Sequence, residues 1–121
     1  MVPVTILMVD DNPEHIALCK EYLSDRFDIS TAMSVGEAIH KLDDEIYDLV
    51  ILDYDLPDGT GMDLLRKIKE MGVESKVIFV SGHDDLDLSF QALKLGANDF
   101  VVKTFKYYIQ LEERILETLY D

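Results

Sequence analysis

Polar residues that could carry out chemistry follow apolar runs at several points of the chain. Apolar runs over residues 5–9, 49–52, 77–80 and 100–102 lead, in that order, to Asp10–Asp11, Asp53, Ser81 and Lys103. Carboxylates are ligands that suit hard divalent cations such as Mg²⁺, and a phosphoryl oxygen commonly completes the magnesium shell. A lysine ammonium and a serine hydroxyl can both donate hydrogen bonds to phosphoryl oxygens. If these residues meet, their types predict phosphoryl transfer to a carboxylate nucleophile beside a divalent cation.

The elements that must position these residues are indicated by alternating patterns of apolar residues. Strands are predicted at the short apolar runs, which are Thr5–Val9, Phe27–Ala32, Leu49–Leu52, Val77–Val80 and Phe100–Val102. Between the runs, apolar residues recur at helical spacing. Helix starts are marked by Asn12 before Pro13 and by capping-box patterns at Ser34…Glu37 and Thr60…Asp63. These patterns predict five strand–helix units.

The sheet that these units form is predicted to be parallel. Strands that are apolar throughout must be covered on both faces, which is typical of a parallel sheet with helices on each side. Right-handed crossovers favour a doubly wound, flavodoxin-like α/β fold, (βα)5, with strand order 2-1-3-4-5. The first and third strands are then neighbours, so Asp10–Asp11 and Asp53 meet at the edge where such sheets bind ligands. Residues 1–121 are expected to form one domain.

Charge and cysteine content narrow the classes of function. The chain carries 25 acidic and 11 basic residues, and this net charge of −14 repels nucleic-acid phosphates and anionic lipid. We therefore expect this domain to bind neither nucleic acid nor membrane. The single cysteine, Cys19, lies in a helical apolar pattern and is predicted to be a core residue. Because one cysteine cannot form an intramolecular disulfide and no signal peptide is evident, a cytoplasmic location is expected.

A family resemblance joins these features. Asp10–Asp11, Asp53, Ser81, Phe100 and Lys103, with the stretches LDYDLPDGTGMDLL and GANDFVVK, resemble the receiver domain of two-component response regulators over the whole chain. The resemblance implies a phosphorelay role in signal transduction. It also implies that Asp53 is the phosphoacceptor and takes a phosphoryl group from a sensor histidine kinase or a phosphotransfer protein.

The same resemblance implies a cofactor and a switch. Mg²⁺ would be held by Asp10, Asp11, Asp53 and the backbone carbonyl of Asp55. Lys103 would steady the phosphoryl oxygens, and Ser81 would reach them after transfer. Movement of Ser81 would free space for Phe100 to rotate, so that phosphorylation changes a partner-binding surface. In this role the domain is not an enzyme with a separate substrate, since it catalyses only its own phosphorylation and dephosphorylation.

One departure from the family pattern concerns the residue after Lys103. The proline that usually stands there is replaced by Thr104. A cis peptide bond costs about 3–4 kcal/mol before a residue other than proline. The Lys103–Thr104 bond is therefore predicted to be trans.

The main alternative is a haloacid-dehalogenase-like phosphatase. The stretch DYDLP, which begins at Asp53, resembles the first motif of that family. However, the nucleophile of that family usually follows the first strand, whereas two predicted strands precede Asp53 and its own strand.

Two further alternatives are binding modules. A receiver-like module that never accepts phosphate would usually lack the aspartate or the lysine, and both are present. A flavin-binding protein of similar fold would need phosphate donors in its first loop, where Asp10–Asp11 repel phosphate.

The partner surface is predicted on the fourth helix, the fifth strand and the fifth helix. On the fifth helix, the residues expected to face the sheet are Tyr108, Leu111, Ile115 and Leu119. Tyr107 and Phe105 are then expected to be exposed near Phe100. We expect this face to carry a homodimer contact or an effector contact.

Several other polar residues are given structural roles. His15 and His40 are predicted to be surface helix residues, and His83 is placed in a solvated loop beside the site. Asp58 is predicted to be a turn residue with Gly59.

Overall fold

The strands and helices follow the alternating pattern of the sequence. The computed structural model describes residues 3–83 and 85–120. In this part of the chain the strands are β1 Val4–Val9, β2 Phe27–Ala32, β3 Leu49–Asp53, β4 Asp55–Leu56, β5 Gly59–Thr60, β6 Lys76–Ser81 and β7 Asp99–Val102. The helices are α1 Pro13–Leu23, α2 Val35–Asp44, α3 Gly61–Glu70, α4 Leu86–Lys94 and α5 Tyr107–Tyr120. Each long strand predicted from the sequence is therefore present, within one residue at either end.

The main sheet is parallel, with the order β2-β1-β3-β6-β7. These are the first to fifth strands of the predicted sheet, so the order 2-1-3-4-5 is confirmed. The short strands β4 and β5 form a separate antiparallel hairpin directly after β3. Sequence patterns did not indicate this hairpin, because strands of two residues have no measurable periodicity.

Two apolar layers cover the sheet. On one face, Leu7 and Phe79 pack with residues of α2, α3 and α4, and on the other face Ile6 and Ile78 pack with residues of α1 and α5. Residues of β1 alternate between the layers, because successive side chains of a strand point to opposite faces. Cys19 is completely buried in the second layer, as predicted.

Side-chain caps fix the starts of α1, α2 and α3. Asn12 accepts hydrogen bonds from the backbone N–H groups of Glu14 and His15, and Thr60 and Asp63 form the predicted reciprocal capping box. Ser34 accepts from the N–H of Glu37, as a cap should. Capping satisfies backbone donors that have no partner within the helix.

The turn residue Asp58 also serves a helix that is distant in sequence. Asp58 lies in the turn between β4 and β5, as predicted, and its carboxylate accepts from the N–H groups of Val35 at 2.7 Å and Gly36 at 3.0 Å. These bonds lower the pKa of Asp58. The loop that follows Asp53 is thereby attached to the N-terminus of α2.

The predicted exposure of Tyr107 is wrong. The first residue of α5 is only 7% exposed, and its hydroxyl lies 3.6 Å from Cys19 Sγ. Leu111 and Ile115 are completely buried, as predicted, and Phe105 is 90% exposed. Tyr107 precedes Leu111 by four positions, so it shares the buried face of the helix.

No helix in the described ranges combines the length and the apolar character that a membrane crossing requires.

Candidate functional site

Three carboxylates converge at the carboxyl edge of the sheet. Asp10 and Asp11 follow β1, and Asp53 is the last residue of the neighbouring strand β3. Carboxylate oxygens of the three residues all lie within 4.8 Å of one another. Asp10 is 1% and Asp53 is 6% exposed, whereas Asp11 is open to solvent. This oxygen-only donor set, with one exposed member, fits a hard divalent cation that retains water ligands.

Lys103 brings a positive charge into this cluster. Its Nζ lies 2.8 Å from Asp10 Oδ2 and 3.3 Å from Asp53 Oδ1, and its side chain is 11% exposed. The backbone fixes the lysine, because the N–H of Lys103 donates to the carbonyl of Ser81 at 2.8 Å. The Lys103–Thr104 peptide bond is trans, as predicted.

Asp53 lies in an environment that disfavours its ionised form. Burial raises the pKa of Asp53 to about 6, although the Lys103 ammonium lowers it. The negative charge of Asp10 contributes to this increase in the pKa. A cation near Asp53 would favour the carboxylate, since an opposite charge stabilises the ionised form.

Ser81 ends β6 on the far side of Asp53. Its side chain is completely buried, and its hydroxyl accepts a hydrogen bond from the N–H of His83 at 3.0 Å. Gly82 lies between them, and a Cβ atom added there would meet nothing within 4 Å. The surface above Ser81 is therefore open.

The loop around Asp55 lies beside this opening. The side chain of Asp55 is 70% exposed, and His83 Nε2 lies 3.5 Å from Asp55 Oδ2. The His83 ring also meets the edge of the Tyr54 ring, with centroids 5.6 Å apart. The expectation that His83 lies beside the site is met, whereas the role of the Asp55 carbonyl as a metal ligand stays a prediction.

Phe100, the predicted switch residue, is half-buried on β7. Its ring stacks on that of Phe79, which is completely buried in β6. The stack joins the edge strand to the core that supports the site.

His15 belongs to this site, contrary to the prediction of a surface helix residue. Its Nδ1 lies 3.0 Å from Lys103 Nζ and 3.6 Å from Asp10 Oδ2. The position of His15 in the first turn of a helix that starts next to Asp10–Asp11 could have indicated this proximity. His40, by contrast, is on the surface as predicted, with its side chain 79% exposed.

Comparison with known proteins identifies the family. The family model of the response regulator receiver domain matches residues 6–115 of this chain. The luminescence regulatory protein LuxO of Vibrio campbellii is 36% identical over 97 residues, which cover 79% of this chain and 21% of LuxO. The crystal structure of the signal receiver domain of a putative LuxO repressor protein from Vibrio parahaemolyticus has a TM-score of 0.91 at 28% identity, covering 98% of this chain and 91% of that chain. The response regulator TrrA from Thermotoga maritima, crystallised in complex with Mg²⁺-BeF, has a TM-score of 0.84 at 31% identity, covering 96% and 99% of the two chains.

The chain belongs to the receiver domain family of two-component response regulators. This is a family of signalling domains, and the match gives no support to the haloacid-dehalogenase alternative. The chain spans about a fifth of the length of the LuxO proteins that it matches.

Proposed function

We propose that this receiver domain accepts a phosphoryl group on Asp53 in a Mg²⁺-dependent reaction. The observation that carries the proposal is the position of Lys103, whose Nζ lies within 3.3 Å of both the buried Asp53 and Asp10 carboxylates. The donor is the phosphohistidine of a sensor histidine kinase or a phosphotransfer protein in the cytoplasm. Residues 1–121 act as one receiver domain.

Asp10, Asp11 and Asp53 would hold the Mg²⁺, together with the backbone carbonyl of Asp55. The clustering of three carboxylates and the partial exposure of the group support this assignment. When bound, Mg²⁺ offsets negative charge on the phosphoryl oxygens and on the carboxylates.

Asp53 provides the nucleophile, and Lys103 provides a positive charge for the phosphoryl oxygens. A carboxylate oxygen of Asp53 forms a bond to phosphorus while the bond from phosphorus to the donor imidazole nitrogen breaks. The imidazole keeps the electron pair and takes up a proton from solvent. The product is an acyl phosphate, whose phosphoryl group carries about −1.5 to −2 of charge in place of the single charge of the carboxylate. Lys103 then donates to a phosphoryl oxygen, and Ser81 turns its hydroxyl from the N–H of His83 toward the same group.

The signal leaves through a face formed by α4, β7 and α5. Inward movement of Ser81 makes room for Phe100, whose rotation changes this face. Large apolar side chains are exposed on α4, since Leu86 is 84% and Phe90 is 65% exposed. The face associates with a second copy of the chain or with an effector module. Because Tyr107 is buried, Phe90 is the aromatic residue with which to test this face.

Phosphorylation is tested with acetyl phosphate and Mg²⁺. Intact-mass measurement should show one added phosphoryl group, which Asp53→Asn should abolish and Asp28→Asn, an exposed aspartate on β2, should leave intact. Failure of the parent to gain the group, or label on another acid in the Asn variant, would contradict the assignment.

The output face is tested by sedimentation with and without beryllofluoride. Phe90→Ala should reduce the association that beryllofluoride induces. Ile46→Ala serves as the control, because Ile46 is 95% exposed and lies just after α2, outside this face. Equal effects of the two variants would place the output elsewhere.

A further inference from the structure

We infer that His15 is a positioning residue that holds the Lys103 ammonium between Asp10 and Asp53. Within the described residues, three acceptor atoms lie close to Lys103 Nζ: Asp10 Oδ2 at 2.8 Å, His15 Nδ1 at 3.0 Å and Asp53 Oδ1 at 3.3 Å. An ammonium group has three N–H donors and no acceptor. The imidazole is therefore the neutral hydrogen-bond partner of the lysine, beside a charged hydrogen-bond partner in Asp10 and an ion-pair contact with Asp53.

The contact assigns the state of the His15 ring. Because an ammonium can only donate, Nδ1 must accept, and the hydrogen of the neutral imidazole is placed on Nε2. The His15 ring is also braced by the Tyr107 ring, which it meets in a T-shaped arrangement with centroids 5.9 Å apart. Tyr107 is itself buried against Cys19, so the brace is anchored in the core.

A closed series of hydrogen bonds fixes His15 relative to the site. The N–H of Asn12 donates to Asp10 Oδ1 at 2.9 Å, and the side chain of Asn12 accepts from the N–H of His15 at 3.3 Å. The His15 ring accepts from Lys103, and Lys103 donates to Asp10 Oδ2. The cap of α1 thus sets the position of the imidazole, and the imidazole sets the position of the ammonium.

The consequence for reactivity rests on the proposed function. When Lys103 turns toward a phosphoryl oxygen, it gives up contacts with carboxylates that attract it strongly. The neutral His15 ring does not compete with the phosphoryl group as a counter-charge, so its bond to Lys103 can persist and limit how far the ammonium moves. Without it, the ammonium keeps only its contacts with Asp10, Asp53 and the Tyr107 ring, and it adopts the geometry for phosphoryl transfer less often.

Phosphorylation rates show whether His15 acts as a hydrogen-bond acceptor or only fills space. With acetyl phosphate and Mg²⁺ at pH 8, where an imidazole in water is neutral, His15→Leu should lower the rate about tenfold, as expected for loss of a hydrogen bond to a charged group. His15→Asn places an acceptor at the position of Nδ1 and should restore the rate to within about threefold of the parent. His40→Leu and His40→Asn are matched controls on a surface helix and should leave it unchanged. A parental rate in His15→Leu, or equal losses in the Leu and Asn variants, would overturn the inference.

A second measurement does not depend on phosphorylation. In ¹⁵N-labelled, metal-free protein, the ammonium signal of Lys103 is assigned by its loss in Lys103→Met. The signal should shift or broaden in His15→Leu and should persist in His15→Asn and His40→Leu. In the parent protein, His15 should be the Nε2–H tautomer. An unchanged signal in His15→Leu, or the Nδ1–H tautomer in the parent, would overturn the inference. If Asp53 is never phosphorylated, the proposed function fails, while this experiment still decides whether His15 holds Lys103.

Discussion

The rings of Phe79 and Phe100 are stacked, with centroids 5.6 Å apart and planes 8° from parallel. The two residues are register partners on β6 and β7, and Phe79 is completely buried. Any rotation of Phe100 must break this stack, which is typically worth about 0.5–1.5 kcal/mol beyond the area it buries. The stack therefore favours the conformation seen here over a rotated switch.

Replacing the inner ring should weaken both the fold and this preference. We expect Phe79→Leu to lower the free energy of unfolding by about 1–3 kcal/mol, because it removes the stack and leaves part of a ring volume unfilled. Urea denaturation measures the change. The control is Phe105→Leu, at a side chain that is 90% exposed, for which we expect a change within about 0.5 kcal/mol. Similar losses in the two variants would argue against a specific contribution from the stack.

The two glycines near Asp53 should respond differently to alanine. A Cβ atom at Gly61 would lie 2.4 Å from the backbone oxygen of Asp53, which cannot move without shifting the site. Gly61→Ala should therefore lower the free energy of unfolding by about 1–3 kcal/mol and slow phosphorylation of Asp53. At Gly82 the same atom meets nothing within 4 Å, and Gly82→Ala should be neutral in stability. Thermal and urea unfolding of the pair test this, and equal stability of both variants would contradict it.

The cap that Asp58 provides to α2 should depend on pH. Hydrogen bonds from Gly36 and Val35 lower the pKa of Asp58 in the folded state, so its contribution is present above the unfolded pKa of about 3.9 and is lost as pH falls through the folded value. Asp58→Ala should lower the melting temperature at pH 7, and the difference from the parent should shrink below about pH 4. Asp43→Ala, which removes an exposed aspartate of α2, controls for net charge. A difference that is constant with pH would contradict the cap.

Mg²⁺ should stabilise the folded domain. At a free concentration ten times the dissociation constant, binding to the folded state alone adds about 1.4 kcal/mol, or roughly 4–7 °C in melting temperature for a domain of this size. Sodium chloride of equal ionic strength should not reproduce the increase. Asp11→Asn should abolish it, because Asp11 is the exposed member of the carboxylate cluster. A melting temperature that responds equally to both salts would count against the cation site.

The parts of the site that depend on strand order could be predicted from the sequence. Asp10, Asp53 and Lys103 stand at strand ends, so the sheet alone brings them together. Strand order alone does not place His15, since its contact with Lys103 depends on the rotation of α1; only its position in the first turn after Asp10–Asp11 indicates the proximity. The burial of Tyr107 could not be predicted, because apolar residues cover enough of the surface of α5 for either side of the helix to face the core. The link from Asp58 to α2 leaves no signal in a local window of sequence.

The hydrogen bond from Lys103 to Asp10 spans 93 positions of the chain. The ammonium therefore reaches the carboxylates only when both β1 and β7 are in place in the sheet. In a partly folded chain that lacks β7, the carboxylates would repel one another without this counter-charge. Lys103 thus makes the acidic pocket a property of the completely folded domain, and ligands that need this lysine discriminate against partly folded chains.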